Sequence, residues 1–317
     1  MKKDHPGNTM DPLLSVCLIT YNHKQYIQQA IEGVLMQKVS FPIKLIIADD
    51  FSTDGTRDIL HDYKEKYPNL IHLILQEKNV GPAQNWKVLI SAPKSKYIAY
   101  FEGDDYWIDE FKLQKQVDLL ESRPDCSISF HKVITIDNDN NILNDVFDLN
   151  DSFPDELTIQ DLAARNFIPT SSAVFRNLPL IKSNLQWLSE QPVGDWPLMI
   201  LLADTGKIHF SHECMSVYRK HDFGIWSSSS YYKKAMDIKK LRQSLNKIFS
   251  RKYGDIFYSN DQKVKDAIYE MEYYKKERRV FYFFKNYIWL LAHKKYTKFS
   301  YGSFILFLKQ FIWRKGD

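Results

Sequence analysis

The run Tyr97-Ile98-Ala99-Tyr100-Phe101 passes directly into Glu102-Gly103-Asp104-Asp105. Five apolar or aromatic residues in succession read as a buried strand. Three carboxylates around one glycine cannot continue it, because an unpaired carboxylate is costly in a protein interior. The chain therefore leaves the core at Glu102. In an α/β sheet such strand exits form the crevice where ligands bind. Paired aspartates there suit a hard divalent cation, Mg²⁺ or Mn²⁺, whose preferred ligands are oxygens. Gly-Asp-Asp is also ordinary turn chemistry, so the segment alone leaves a solvated turn open.

The flanking pattern places this exit. Residues 14–20 read as a short buried strand, and Tyr26, Ile27, Ala30, Ile31, Val34 and Leu35 follow at helical spacing. A second strand over 43–48 closes in Asp49-Asp50. A helix over 53–66, a strand over 70–75, a turn at Asn79-Val80-Gly81 and a helix over 82–91 lead back to Tyr97. This alternation predicts a mainly parallel sheet flanked by helices, with Asp49, Asp50, Asp104 and Asp105 at one edge. Beyond Trp107 the pattern predicts a helix to about 122, a strand over 126–136, a turn at 137–141 and a loop over 149–155. A helix over 159–165, a strand over 171–175, a helix over 195–205 and strands over 208–210 and 215–218 follow. Residues 1–12 read as a flexible tail, 13–230 as the α/β domain, and 231–317 as a basic, aromatic helical region.

Other chemistries find less support. No Gly-x-Gly-x-x-Gly follows the first strand, and no Gly-x-x-x-x-Gly-Lys-Ser/Thr loop occurs. His209, His212 and Cys214 have loosely zinc-like spacing, but they flank a strand and lack an evident fourth ligand. The three cysteines, Cys17, Cys126 and Cys214, suggest a reducing compartment without a disulfide framework. The polar start predicts no signal peptide, and no apolar run reaches the roughly eighteen residues of a membrane-spanning helix. A net charge of +4 argues for no particular partner.

Taken together, Thr20-Tyr21-Asn22, Asp49-Asp50-x-Ser52-x-Asp54-Gly55-Thr56 and Glu102-Gly103-Asp104-Asp105 resemble the family 2 glycosyltransferases of the GT-A fold. Val193-Gly194-Asp195-Trp196 is similar to the family's catalytic-base segment. Tyr218-Arg219-Lys220-His221-x-x-Gly224-x-Trp226-Ser227 is similar to a motif that follows it in many bacterial members. The resemblance covers about residues 13–230. It implies that Tyr21 stacks on the base of a nucleotide sugar, with Asn22 beside it, and that Asp50 bonds the base N–H. It places Asp104 on the ribose or the metal shell, Asp105 on Mg²⁺ or Mn²⁺, His221 as a third contact to metal or diphosphate, and Arg219 with the donor. Asp195 becomes the general base on the acceptor hydroxyl; the competing local reading is a helix cap. Glu102 is left without a role. Ile19 stands where many members carry proline, and Phe51 where many carry glycine. The implied activity is metal-dependent, inverting transfer from a nucleotide sugar, UDP-linked in preference, to a lipid-linked or polysaccharide acceptor of a bacterial surface glycan. A sugar nucleotidyltransferase and a non-catalytic sugar-nucleotide-binding protein are the alternatives.

From Lys275 onward eleven Lys and Arg residues face only Glu277 and Asp317. Between them lie Val280-Phe281-Tyr282-Phe283-Phe284, Tyr287-Ile288-Trp289-Leu290-Leu291 and Phe304-Ile305-Leu306-Phe307-Leu308. Apolar aromatic faces bordered by lysines suit an anionic lipid surface better than nucleic acid. The expectation is a peripheral protein on the cytoplasmic face of the cell membrane. A helical cap on the catalytic domain, or a homo-oligomer contact, is the alternative use of the same residues.

Overall fold

The computed structural model describes residues 11–144, 147–221, 224, 229–277 and 279–292. The chain divides into one compact unit ending at Ser227 and a second beginning at Ser228. The first unit is built on a nine-stranded sheet. Its strands are β1 (Leu14–Thr20), β2 (Ile43–Asp49), β3 (Ile71–Leu75), β4 (Tyr97–Glu102), β5 (Tyr106–Trp107), β6 (Cys126–Ile136), β7 (Glu156–Leu157), β8 (Val174–Arg176) and β9 (Lys207–Arg219). Helices α1 (Ile27–Leu35), α2 (Thr56–Lys66), α3 (Pro82–Ser91), α4 (Lys112–Ser122), α5 (Ile159–Ala164), α6 (Pro179–Ser183), α7 (Leu185–Ser189) and α8 (Asp195–Ala203) intervene. The order is β3-β2-β1-β4-β8-β6-β9-β5, with β7 on β9. Strands β3, β2, β1 and β4 run parallel; β8 opposes both β4 and β6, while β6 and β9 are parallel.

Strand periodicity explains how the core forms. Leu14, Val16 and Leu18 project to one face of β1 and meet Ile27, Ala30, Ile31 and Val34 of α1 and Leu113, Val117 and Leu120 of α4 in one buried cluster. Gly33 lets α1 lie directly on β5, since a Cβ there would stand 2.9 Å from the Trp107 backbone nitrogen.

Some predicted elements differ. The expected strands 208–210 and 215–218 are one strand, β9. Ser211, His212 and Glu213 break its apolar pattern, but the ladder with β6 absorbs them through register shifts around Lys132. The expected strand over 171–175 opens instead as a 3₁₀ turn, Thr170–Ser172, before β8. Its backbone is satisfied by side chains: Trp107 Nε1 donates to the Ser171 carbonyl (2.9 Å) and Gln116 Nε2 to that of Ser172 (2.9 Å). Helix α2 begins at Thr56, not 53, because Asp54 Oδ1 takes the Thr56 N–H (3.0 Å) and Gly55 adopts φ +99°. Strands β5 and β7 have two residues each, too few for a periodic signal.

The second unit contains α9 (Tyr231–Tyr253), α10 (Asn260–Lys276) and α11 (Val280–Ala292). Val264, Ala267 and Met271 pack against Phe283 and Tyr287. Phe281 and Ile288 of α11 remain 76% and 64% exposed. Residues 1–10, and 293–317 of the basic C-terminal segment, lie outside the described residues.

Replacing Gly33 by Ala is expected to lower stability by about 1–3 kcal/mol through overpacking against Trp107. Chemical denaturation read by tryptophan fluorescence checks it; an unchanged midpoint would contradict the close approach.

Candidate functional site

Strand register brings the three motifs together. Thr20 pairs with Asp49 and Ile19 with Glu102, so Tyr21, Asp50 and Gly103 leave the sheet side by side. The exits are tied by backbone bonds: the Asp50 N–H donates to the Thr20 carbonyl (3.1 Å) and the Gly103 N–H to that of Ile19 (2.9 Å). Gly103 is needed for this approach, since a Cβ there would meet His23 Nδ1 and Thr20 Oγ1 at 3.0 Å.

One end of this edge is an open ledge. Tyr21 is 45% exposed, and Asp50, at the end of the neighbouring strand, is 3% exposed with Oδ1 accepting the Val80 N–H (2.7 Å). Asn22 adopts φ +54°, a region that asparagine tolerates. It works as a clamp between loops: its N–H donates to Ser52 Oγ (2.8 Å) and its Oδ1 accepts the Thr53 N–H (2.9 Å). Phe51 takes φ +64°, the conformation in which glycine is unstrained, with the Arg57 guanidinium 5.0 Å from its ring centre. Asp49 is fully buried, neutralised by Arg57 and Ser52.

Around the opening motif the acids part company. His221 Nε2 donates to Asp104 Oδ2 at 2.8 Å, and His23 Nε2 lies 4.0 Å from the same oxygen. Burial works to raise the Asp104 pKa, but the His221 bond and the His23 imidazole hold it below the usual carboxylate range. Asp105 is 2% exposed, and its Oδ1 accepts the Arg219 backbone N–H (2.9 Å). Burial, then the charges of Asp104 and Glu102, push its pKa well up. Glu102 accepts from Thr170 Oγ1 and, at 3.3 Å, from Tyr100. Burial and the Asp104 charge push it to about 8. Within this trio Asp104 keeps the negative charge most readily. A cluster with pKa values driven apart is characteristic of sites that bind or transfer charge.

Asp195 is the first residue of α8; the cap position belongs to Gly194, so the cap reading does not describe its geometry. Its Oδ2 accepts from Asn166 Nδ2 at 2.9 Å, and burial raises its pKa. Its charge is felt at Glu102 and Tyr100, which joins it electrostatically to the strand exit. The Arg219 side chain is held by the Asp104 carbonyl (3.3 Å), Asn140 Oδ1 (2.9 Å) and Gln29 Oε1 (3.3 Å).

The expected residues Tyr21, Asp50, Asp104, Asp105, Arg219 and His221 thus border one edge. His221 meets Asp104, not the Asp105 expected to ligate the metal. The sequence reading passed over His23, Thr170 and Asn166; His23 alone carried a signal, directly after Thr20-Tyr21-Asn22. Of the last expected motif, Trp226 and Ser227 lie outside the described residues. Among the described residues no group of three or more His, Cys, Asp or Glu is arranged to hold a metal without help from a ligand. His212 instead bonds Asp155 (3.0 Å), and Cys214 is exposed.

Because folding raises the Glu102 pKa, the native state retains a proton that the unfolded chain releases, and stability falls as pH rises from about 4.5 to about 8. Glu102→Gln removes that dependence. Its melting temperature relative to the parent is expected to climb across this window and level off above it; a pH-independent difference would contradict the assignment.

Residues 15–224 match the family model for glycosyl transferase family 2. An uncharacterised protein of Mycobacterium tuberculosis (strain ATCC 25618 / H37Rv) is 40% identical over 219 residues, 68% of this chain and 61% of the relative. The chain thus covers about three fifths of that relative's length. A Bacillus subtilis (strain 168) protein provisionally named a teichuronic acid biosynthesis glycosyltransferase, TuaG, is 40% identical over 120 residues, 38% of this chain and 46% of that one. Among solved structures, S. aureus TarS 1–349 in complex with UDP shares the fold at a TM-score of 0.55 and 15% identity, over 84% of this chain and 80% of that one. The family match spans most of the sheet and every motif at its edge, and the chain belongs to glycosyl transferase family 2, with the GT-A fold.

Proposed function

We propose that the protein is a divalent-metal-dependent, inverting glycosyltransferase that uses a nucleoside-diphosphate sugar, with a UDP-sugar preferred. The observation that carries this reading is the Asp104–His221 pair at the exit of β4, beside the Tyr21–Asp50 ledge, with neighbouring Glu102 in electrostatic reach of Asp195. Tyr21 supplies an exposed ring for base stacking, and Asp50 has a second carboxylate oxygen for a base N–H. The fold neighbour TarS, solved with UDP, fits a uracil base.

The donor set suits a hard cation. Asp104 Oδ1 is buried without a hydrogen-bond partner, next to an imidazole. One or two carboxylates leave most of the coordination sphere to diphosphate and water, the usual arrangement for Mg²⁺ at nucleotides. Asp104, Asp105 and His221 would hold the ion; Asp105 Oδ1 is taken by the Arg219 backbone N–H, but its Oδ2, like Asp104 Oδ1, is buried without a hydrogen-bond partner. When bound, the cation neutralises charge on the departing diphosphate.

Asp195 takes the proton from the acceptor hydroxyl. The hydroxyl oxygen then bonds to the anomeric carbon as the bond to the diphosphate breaks, releasing the nucleoside diphosphate. One base opposite one leaving group gives a single displacement and inversion. Asn166 fixes the Asp195 carboxylate, and the dry setting that raises its pKa makes it a stronger base.

The name of TuaG, and the Bacillus subtilis minor teichoic acid biosynthesis protein GgaA (35% identical over 97 residues), support a surface-glycan acceptor, lipid-linked or polymeric. No described helix is long and apolar enough to cross a membrane. The basic C-terminal region and the exposed Phe281 and Ile288 support peripheral contact with an anionic membrane.

Asp195→Asn is expected to lower kcat about 10²- to 10⁴-fold while leaving UDP affinity intact. Asp104→Asn is expected to weaken Mn²⁺-dependent UDP binding, read by calorimetry, at least about tenfold. Full transfer rates in the first, or undiminished metal dependence in the second, would sink these roles. Because the Asp195 pKa is raised, kcat/KM should fall with acid at a pH above the ordinary carboxylate range. Phe281→Ser with Ile288→Ser is expected to reduce sedimentation with phosphatidylglycerol vesicles; equal sedimentation would assign α11 to protein contacts.

A further inference from the structure

Beside the Asp104–His221 pair lies a recess of about 420 Å³, of whose lining the donor reading uses only Arg219. Its wall carries four amides, Gln25, Gln29, Asn138 and Asn140, and two phenols, Tyr26 and Tyr106, with Arg219 between them. Two of these residues also touch the site: Tyr26 lies 5.5 Å, ring centre to ring centre, from His221, and Arg219 bonds the Asp104 carbonyl.

The recess is built from firm parts. Asp137 Oδ1 accepts the N–H groups of Asp139 and Asn141 (both 2.9 Å), and its Oδ2 accepts from Asn141 Nδ2 (3.0 Å). This closes the turn after β6 and presents Asn138 and Asn140 on a fixed loop. Asn140 takes φ +63°, which asparagine tolerates. Across from it, Arg219 is pinned by Asn140 and Gln29 and lies 4.9 Å from the Tyr26 ring centre and 5.8 Å from that of Tyr106.

We infer that this recess is a subsite for a neutral, hydroxyl-rich saccharide unit of the acceptor. Gln25 and Asn138 offer both a donor and an acceptor, as each sugar hydroxyl does, and Gln29 and Asn140, whose oxygens hold Arg219, keep their N–H donors. Aromatic side chains supply apolar faces for the C–H side of a sugar ring. No carboxylate lines the recess. Its one cation already spends three N–H groups on Asn140, Gln29 and the Asp104 carbonyl, which leaves little for a phosphate. The volume is at the lower end of small-ligand pockets, and Tyr26 and Arg219 join the recess to the Asp104–His221 pair. The inference rests on the glycosyltransferase reading for the acceptor's identity, but the recess can be tested without transfer.

The experiment is saturation-transfer NMR on the full chain with UDP and Mn²⁺, using cellobiose, lactose and chitobiose, with glycerol 3-phosphate as the anionic probe. The parent is compared with a Gln25→Ala/Asn138→Ala variant; both side chains are exposed. At least one neutral disaccharide is expected to bind the parent and to lose about tenfold in affinity in the variant, with UDP affinity unchanged. Equal disaccharide binding in both proteins, no disaccharide binding to the parent, or binding of glycerol 3-phosphate alone overturns the proposal. Failure of UDP itself to bind would strike the donor-site reading, and the disaccharide comparison would still judge the recess.

Discussion

The crowding of three carboxylates within four residues, Asp105 buried and Glu102 and Asp104 half-buried, at the end of a strand in the middle of the sheet, governs the rest of this structure. Such a cluster cannot hold three charges in a setting of low dielectric. The fold resolves the conflict by giving each acid a different partner. Asp104 receives His221 and stays ionised; Asp105 receives a backbone N–H, and Glu102 a hydroxyl pair, both with raised pKa values. Apart from Tyr100 on β4, those partners come from β9, from the second residue after it and from the 3₁₀ turn, so the distant half of the sheet must be correctly paired before the cluster is stable.

The base ledge follows a related logic. Asp49 is paired inside the sheet with Arg57, while neighbouring Asp50 takes the Val80 N–H at the sheet edge. Asn22 and Phe51 both adopt positive φ, and side-chain bonds from Asn22 to Ser52 and Thr53 hold the two loops in register. Phe51 occupies a conformation that glycine takes without strain. Its ring is partly offset by Arg57, the same side chain that neutralises Asp49. Ledge and core therefore share one arginine.

Much of this was legible in the chain. The parallel half of the sheet was readable because β1, β2 and β4 are uniform apolar runs that end in polar motifs, and because α1 and α3 carry strong helical spacing. The antiparallel half was less so. Strand β9 crosses three polar residues, and the segment over 170–172 satisfies its backbone through Trp107 and Gln116, partners more than fifty residues away. Local pattern cannot report bonds made at that distance.

The sequence by itself determined the fold family, the edge at which the acids collect and the candidates Tyr21, Asn22, Asp50, Asp104, Asp105, Asp195, Arg219 and His221, because apolar runs and charged exits obey local rules. Only the tertiary structure decided which acid keeps its charge. Asp104 and Asp105 are chemically identical and adjacent, so no local rule separates them. The imidazole from beyond β9 reaches one, the β9 backbone amide reaches the other, and the resulting difference in surroundings drives their pKa values apart.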